Sequence, residues 1–101
     1  MDSRMIKQLQ DMQKKMVKAQ EDLAKETVTA SAGGGAVTVE MNGHHVVTAV
    51  TIDKDAVDPE DVETLQDMVL AAFNQALDKA QEMAQTKMGA ITGGMNIPGM
   101  F

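Results

Sequence analysis

Apolar residues over positions 3–26 recur at Met5, Leu9, Met12, Met16, Ala19 and Leu23, with spacings that alternate between four and three. That is the seam of a coiled-coil-like helix held for nearly three heptads. Neither Gly nor Pro interrupts it, so the pattern predicts one helix about 36 Å long. The seam is narrow and needs only one partner along its length. From residue 27 the period changes to two. The run TVTASAGGGAVTVEMNGHHVVTAVTI is rich in Val and Thr and predicts strands over 27–32, 36–42 and 44–52.

Gly33, Gly34 and Gly35 separate the first strand from the second. Asn42-Gly43 between alternating runs predicts a two-residue type I′ hairpin, in which both central residues take positive φ. This turn sets Met41 opposite His44, Glu40 opposite His45, Val39 opposite Val46 and Val37 opposite Thr48. Val37, Val39, Met41, Val46, Val50 and Ile52 then share a buried face, and Thr38, Glu40, His45 and Thr51 share the other. Next, DKDAVDPEDVE reads as a turn and a helix start, with Asp58 as N-cap, Pro59 in the first helical position and Glu60 and Asp61 at the positive end of the dipole. A broad apolar face (Val62, Leu65, Met68, Val69, Ala72, Phe73, Ala76, Leu77, Ala80, Met83) predicts a helix over 59–88 lying on a sheet. Gly89 suits its C-cap, and ITGGMNIPGMF within 89–101 reads as a flexible tail.

The order is therefore α-β-β-β-α, an α+β fold with an antiparallel sheet between long N- and C-terminal helices. The 101 residues suit one domain, and no internal repeat is visible. The first helix is surplus to a monomer core, so dimerisation is expected on structural grounds. Ten methionines and only two aromatic residues imply a soft core or interface. There is no cysteine, which removes disulfides, thiolate catalysis and cysteine-ligated metals. No apolar run approaches the ~20 residues of a membrane span, and the N-terminus lacks a signal-peptide core. A soluble, cytoplasmic protein is expected.

Candidate chemistry is sparse. His44 and His45 are adjacent, so in a strand they point to opposite faces and do not share a metal. The acids Asp53, Asp55, Asp58, Glu60, Asp61 and Glu63 lack the calcium-loop spacing, and helix capping explains half of them. AGGGA lacks the Gly-Lys-Ser/Thr of a phosphate loop. Neither Ser3 nor Ser31 lies in a nucleophile elbow. No catalytic residue, metal site or cofactor is expected, and the chain does not read as an enzyme.

Charge changes the picture most. The formal net charge is −6, yet residues 1–26 hold six cations against five acids, while residues 27–101 hold three against ten. On the heptad count Arg4, Lys7, Lys14, Lys18 and Lys25 fall away from the seam, and Lys15 follows Lys14. They form a ladder with two readings. One is a solvated helix face beside Glu21 and Asp22. The other is contact with duplex phosphates, which needs only spaced cations. No aromatic interleaves the lysines, which argues against stacking on single strands. The seam residues Met5, Leu9, Met12, Met16 and Leu23 likewise suit either helix packing or a soft peptide groove.

The segments GGGAVTVEMNGHHVVTAVTID and VDPEDVETLQDMVLAAFNQALDKAQEMAQTKMGAITGGMNIPGMF closely resemble the YbaB/EbfC family of bacterial nucleoid-associated proteins. The G-G-G turn, the N-G hairpin, the D-P-E-D helix start, the Leu65–Ala76 segment and the G-G-M-x-I-P-G tail all match. So does the Met- and Lys-rich first helix, and the resemblance covers essentially the whole chain. It implies a tweezer-like homodimer with helices projecting from a sheet body. It also implies duplex DNA binding that alters DNA conformation, a nucleoid location, and roles in nucleoid organisation and gene expression. The implied DNA contacts are Arg4, Lys7, Lys14, Lys15, Lys18 and Lys25, with Lys79 and Lys87 as secondary candidates. The alternative is a protein-interaction module, in which the methionine seam and the tail hold a partner from the replication or recombination machinery.

Overall fold

The computed structural model describes residues 2–92. Helix α1 (Ser3–Lys25) leads into strands β1 (Thr27–Ala32), β2 (Val37–Asn42) and β3 (Val47–Ile52), a single 3₁₀ turn (Lys54–Ala56) and helix α2 (Val62–Thr92). The sheet is antiparallel throughout, in the order β1-β2-β3. The α-β-β-β-α order matches the expectation. Of the tail expected over 89–101, Gly89–Thr92 continue α2, and residues 93–101 lie outside the described residues.

Helix α1 starts where the Asp2 carboxylate accepts from the Arg4 backbone N–H, an N-cap at the positive end of the helix dipole. The start of α2 differs from the expectation. Asp58 Oδ1 accepts from Glu60 N and its carbonyl from Asp61 N, which makes a turn. Asp61 then caps the helix, accepting from Thr64 N at 3.3 Å and from the Thr64 hydroxyl at 2.7 Å. Two acids share the work that the sequence suggested for Asp58, so Pro59 lies in the turn rather than in the helix.

The hairpin departs further. Neither Asn42 nor Gly43 takes positive φ; His45 does, at +65°. Asn42 Oδ1 accepts from His44 N and Val46 N, and Asn42 N donates to the Val46 carbonyl. A four-residue loop, 43–46, replaces the two-residue turn, because a local Asn side-chain network competes with the type I′ geometry. The pairing becomes Val39 with Val50, Glu40 with Ala49 and Met41 with Val47, with a bulge at Glu40/Met41. The bulge puts Val47 on the core face in place of Val46. Glu40 faces Ala49 and accepts from the Thr48 hydroxyl at 2.9 Å, so it has no cross-strand contact with His45.

The core lies between α2 and the first two strands. Ala72, Ala76 and Ala80 form a ridge of small residues at i, i+4 spacing, fully buried against Ala30, Val37, Val39 and Met41. Burying each of the larger side chains, Met41, Val37 and Val39, stabilises the fold by about 1.5–3 kcal/mol. Gly33, at φ +66°, lies where a Cβ would run into the Met68 side chain, so the β1–β2 turn both needs the left-handed region and admits no methyl group.

Helix α2 covers β1 and β2 but leaves β3 open. Val50 and Ile52 are on the same sheet face as Val39 and Val37, as expected, yet they are 53% and 41% exposed, and Val46 is 54% exposed. The chain is extended, 69 × 25 × 15 Å, with a radius of gyration of 19.1 Å. A compact domain of this length would have about 13 Å. Its accessible surface of 7313 Å² likewise exceeds the ~5,500 Å² of a compact chain of this mass.

Candidate nucleic-acid interface

Helix α1 stands off the sheet body and touches it only at its root. Its last turns pack: Leu23 and Ala19 are buried, while Met5, Leu9 and Met16 are 53%, 52% and 39% exposed. The expected seam therefore divides. Its C-terminal end meets the rest of the chain, and its N-terminal part flanks the end of α2, where Met5, Leu9, Met12, Lys15 and Ile91 line a shallow groove. The C-terminal turns of α2 run antiparallel to α1, with Lys15, Lys18, Ala19 and Asp22 facing Thr86, Lys87, Ala90 and Ile91 across a second groove. The two helices make one projecting arm.

Of the α1 cations, Lys15 and Lys18 border the grooves between α1 and α2, and Arg4, Lys7, Lys14 and Lys25 do not line them. Arg4, Lys7, Lys14, Lys15, Lys18 and Lys25 are all exposed. At 3.6 residues per turn they fall within roughly 100° of arc, centred about 130° from the Met5–Leu23 seam, with Lys15 at the edge nearer the seam. From Arg4 to Lys25 the stripe is about 32 Å long, close to one turn of B-DNA. Lys18 is 3.6 Å from Asp22 Oδ1, with the Lys18 side chain largely in solvent and Asp22 half-buried, and a single pair at this distance on a surface helix is weak. Lys7, Lys14, Lys15 and Lys25 make no ion pair with a described residue. Asp11 and Asp22 interrupt the stripe and reduce its net charge.

The two secondary candidates on α2 are engaged elsewhere. Lys79 Nζ donates to the Thr29 carbonyl at 2.8 Å, occupying an acceptor on edge strand β1. Lys87 Nζ is 2.6 Å from Glu26 Oε2 and 3.8 Å from Asp22 Oδ2, with its side chain only 23% exposed. It fastens α2 to the root of α1.

Sequence reasoning missed what holds that root. Gly43 N donates to the Leu23 carbonyl at 2.8 Å and to the Glu26 carbonyl at 3.2 Å. Asn42 Nδ2 donates to the Ala24 carbonyl at 3.2 Å, and His44 Nε2 lies 2.8 Å from the Gln20 carbonyl oxygen. The β2–β3 loop thus caps the C-terminus of α1, whose last carbonyls have no helical partner. Gly43 is required there by close approach: a Cβ would come within 2.6 Å of Leu23 Cδ2 and 2.8 Å of the Leu23 carbonyl. Asn-Gly signals a turn, but nothing local in the sequence says that it meets a helix end some twenty positions earlier.

An open basic stripe on a projecting arm suits a polyanion, and the comparisons give its class. A sequence profile of the YbaB/EbfC DNA-binding family matches residues 1–95. The chain belongs to that family. Similar proteins named nucleoid-associated protein occur in Alkaliphilus metalliredigens (52% identical, covering 96% of this chain and 85% of the relative) and Pelotomaculum thermopropionicum (52%, covering 98% and 94%). The relative in Syntrophobacter fumaroxidans, also so named, is 53% identical over 94% of this chain and 86% of its own. The fold is similar to the crystal structure of an uncharacterized protein from Helicobacter pylori, at a TM-score of 0.75 and 26% identity, covering 90% of this chain and 97% of that one. No helix among the described residues is long and apolar enough to cross a membrane. Nor do three His, Asp or Glu side chains among them converge as a metal site.

Proposed function

We propose that α1 is the DNA-contacting arm of this nucleoid-associated DNA-binding protein, with Arg4, Lys7, Lys14, Lys15, Lys18 and Lys25 meeting the phosphates of a duplex. The observation that carries the reading is the exposed stripe itself. It gathers six cations on one side of a helix that projects from an otherwise acidic body. Phosphate contact of this kind neutralises charge and releases counterions without reading base sequence. The acidic body repels a duplex, so the arm is the part that can approach one.

The second element of the proposal is a homodimer. The uncovered apolar residues of β3, Val50 and Ile52, form a surface that a monomer exposes at a cost. A second copy laid on this face would bury it, and the long shape suits a chain completed by a partner. Two arms would then hold or bridge a duplex and change its path.

The test is duplex binding by mobility shift at low and physiological salt, with Lys14, Lys15 and Lys18 replaced by Glu in parallel. Salt-sensitive binding that the charge reversal abolishes supports the arm. Undiminished binding by the variant assigns the contact to another surface. Binding of a protein partner that is insensitive to salt and lost in Met5→Glu or Leu9→Glu would favour the interaction-module reading, because the Met5, Leu9 and Met16 seam is exposed.

A further inference from the structure

We propose that Asn42, Gly43, His44 and Lys87 act as positioning residues. They pin the root of α1 and thereby decide how the protein shapes DNA, while the cations further along the helix decide how tightly it binds. The proposal rests on the reading of α1 as the DNA-contacting arm. Its physical basis is separate from that reading. Hydrogen bonds and ion pairs hold α1 over its last two turns, while further out it flanks the end of α2 across shallow grooves, so a small rotation at the root moves the tip a long way. A helix of 23 residues is about 34 Å long, and a tilt of roughly 15° at its base displaces the far end by about 9 Å.

Two grips oppose each other at that root. On one side Asn42, at the end of β2, and the loop after it reach three carbonyls of α1 and that of its C-cap: Gln20 from His44, Leu23 and the C-cap Glu26 from Gly43, and Ala24 from Asn42. The loop is stiff, because Asn42 also closes it from within by accepting from His44 N and Val46 N. On the other side Lys87 of α2 spans Asp22 of α1 and its C-cap Glu26, one turn apart. Gln20 Nε2 adds a weak contact to Met88 Sδ at 3.9 Å. The loop alone would leave α1 free to swing toward or away from α2, and Lys87 alone would leave it free to slide past the sheet. Together they fix both. None of the four residues belongs to the basic stripe, so loosening them leaves the phosphate-contacting charges in place.

The experiment uses the absence of native cysteine. Nitroxides are attached to the full chain at Gln10→Cys on α1 and Thr51→Cys on the polar face of β3, diluted with unlabelled protein. Pulsed-EPR distance distributions are recorded for the parent, His44→Leu, Lys87→Met and the double variant, with His44→Gln and Lys87→Arg as conservative replacements. The same proteins are titrated onto duplex DNA for affinity, and the DNA end-to-end distance is read by energy transfer.

The expected result is a narrow distribution in the parent that broadens or shifts in His44→Leu and Lys87→Met, most in the double variant. The conservative replacements restore it. Affinity and its salt slope stay within about twofold, since the stripe is intact, while the change in DNA end-to-end distance is lost. Unaltered distance distributions in the double variant would overturn the proposal, as would a broadened distribution with an unchanged DNA shape. A parallel fall in affinity and salt slope would also overturn it, because the root would then govern binding itself. Failure of the arm reading is distinguishable: the Lys14, Lys15 and Lys18 charge reversal would leave DNA binding intact whatever the EPR distances show.

Discussion

Neutralising Lys14, Lys15 and Lys18 together to Gln gives the sharpest measure of the arm. All three are exposed, and only Lys18 has an ion partner among the described residues, Asp22 at 3.6 Å. Their loss should therefore cost the fold about 1 kcal/mol at most. For DNA the effect is larger. Six phosphate contacts set a ceiling of about −5.4 on the slope of log K against log salt for one arm, and losing three lowers it to about −2.7. Between 50 and 200 mM salt the parent should lose affinity by up to roughly 2,000-fold and the variant by roughly 40-fold. Fluorescence anisotropy on a mixed-sequence duplex across a salt series measures both slopes, with sedimentation confirming an unchanged oligomeric state. Equal slopes for parent and variant would refute the reasoning, because contacts that release no counterions are not contacts with phosphate.

The remaining predictions concern stability and assembly. Val50→Asp on the open face of β3 should leave the secondary structure intact and convert a dimer to monomers in sedimentation velocity; an unchanged sedimentation coefficient would remove β3 from the interface. Gly33→Ala should lower stability by about 1–3 kcal/mol in urea titration, because it combines positive φ with a collision at Met68; a neutral result would mean that the turn relaxes freely. Ala76→Leu, in the middle of the fully buried ridge, should cost about 1–3 kcal/mol or more by forcing α2 off the sheet. Thermal melts would show this, and a rise in Tm would contradict the close packing of that layer.

Much of the fold was legible in the sequence. Two long periodic helices and three alternating strands have strong local signals, and the structure reproduces their order within a few residues of the expected limits. The basic ladder was equally visible, since i, i+3 and i+4 spacing places residues on a face regardless of what surrounds the helix. The hairpin register was not legible. Asn42 could serve either as the corner of a type I′ turn or as a side-chain acceptor closing a longer loop, and contact with α1 favours the second. The secondary candidates on α2 were equally out of reach. Lys79 and Lys87 look like free cations until Thr29, Asp22 and Glu26 are brought beside them.

The sequence by itself determined what each element is and which face of it is apolar or charged, because those properties depend on neighbours within a turn or two of the chain. Only the tertiary structure decided which faces are covered. It showed that α2 shields two strands and not the third, that the methionine seam is half occupied, and that the β2–β3 loop grips the end of α1. These outcomes depend on contacts between residues far apart in the chain, where competing partners differ by little in local preference and packing selects among them.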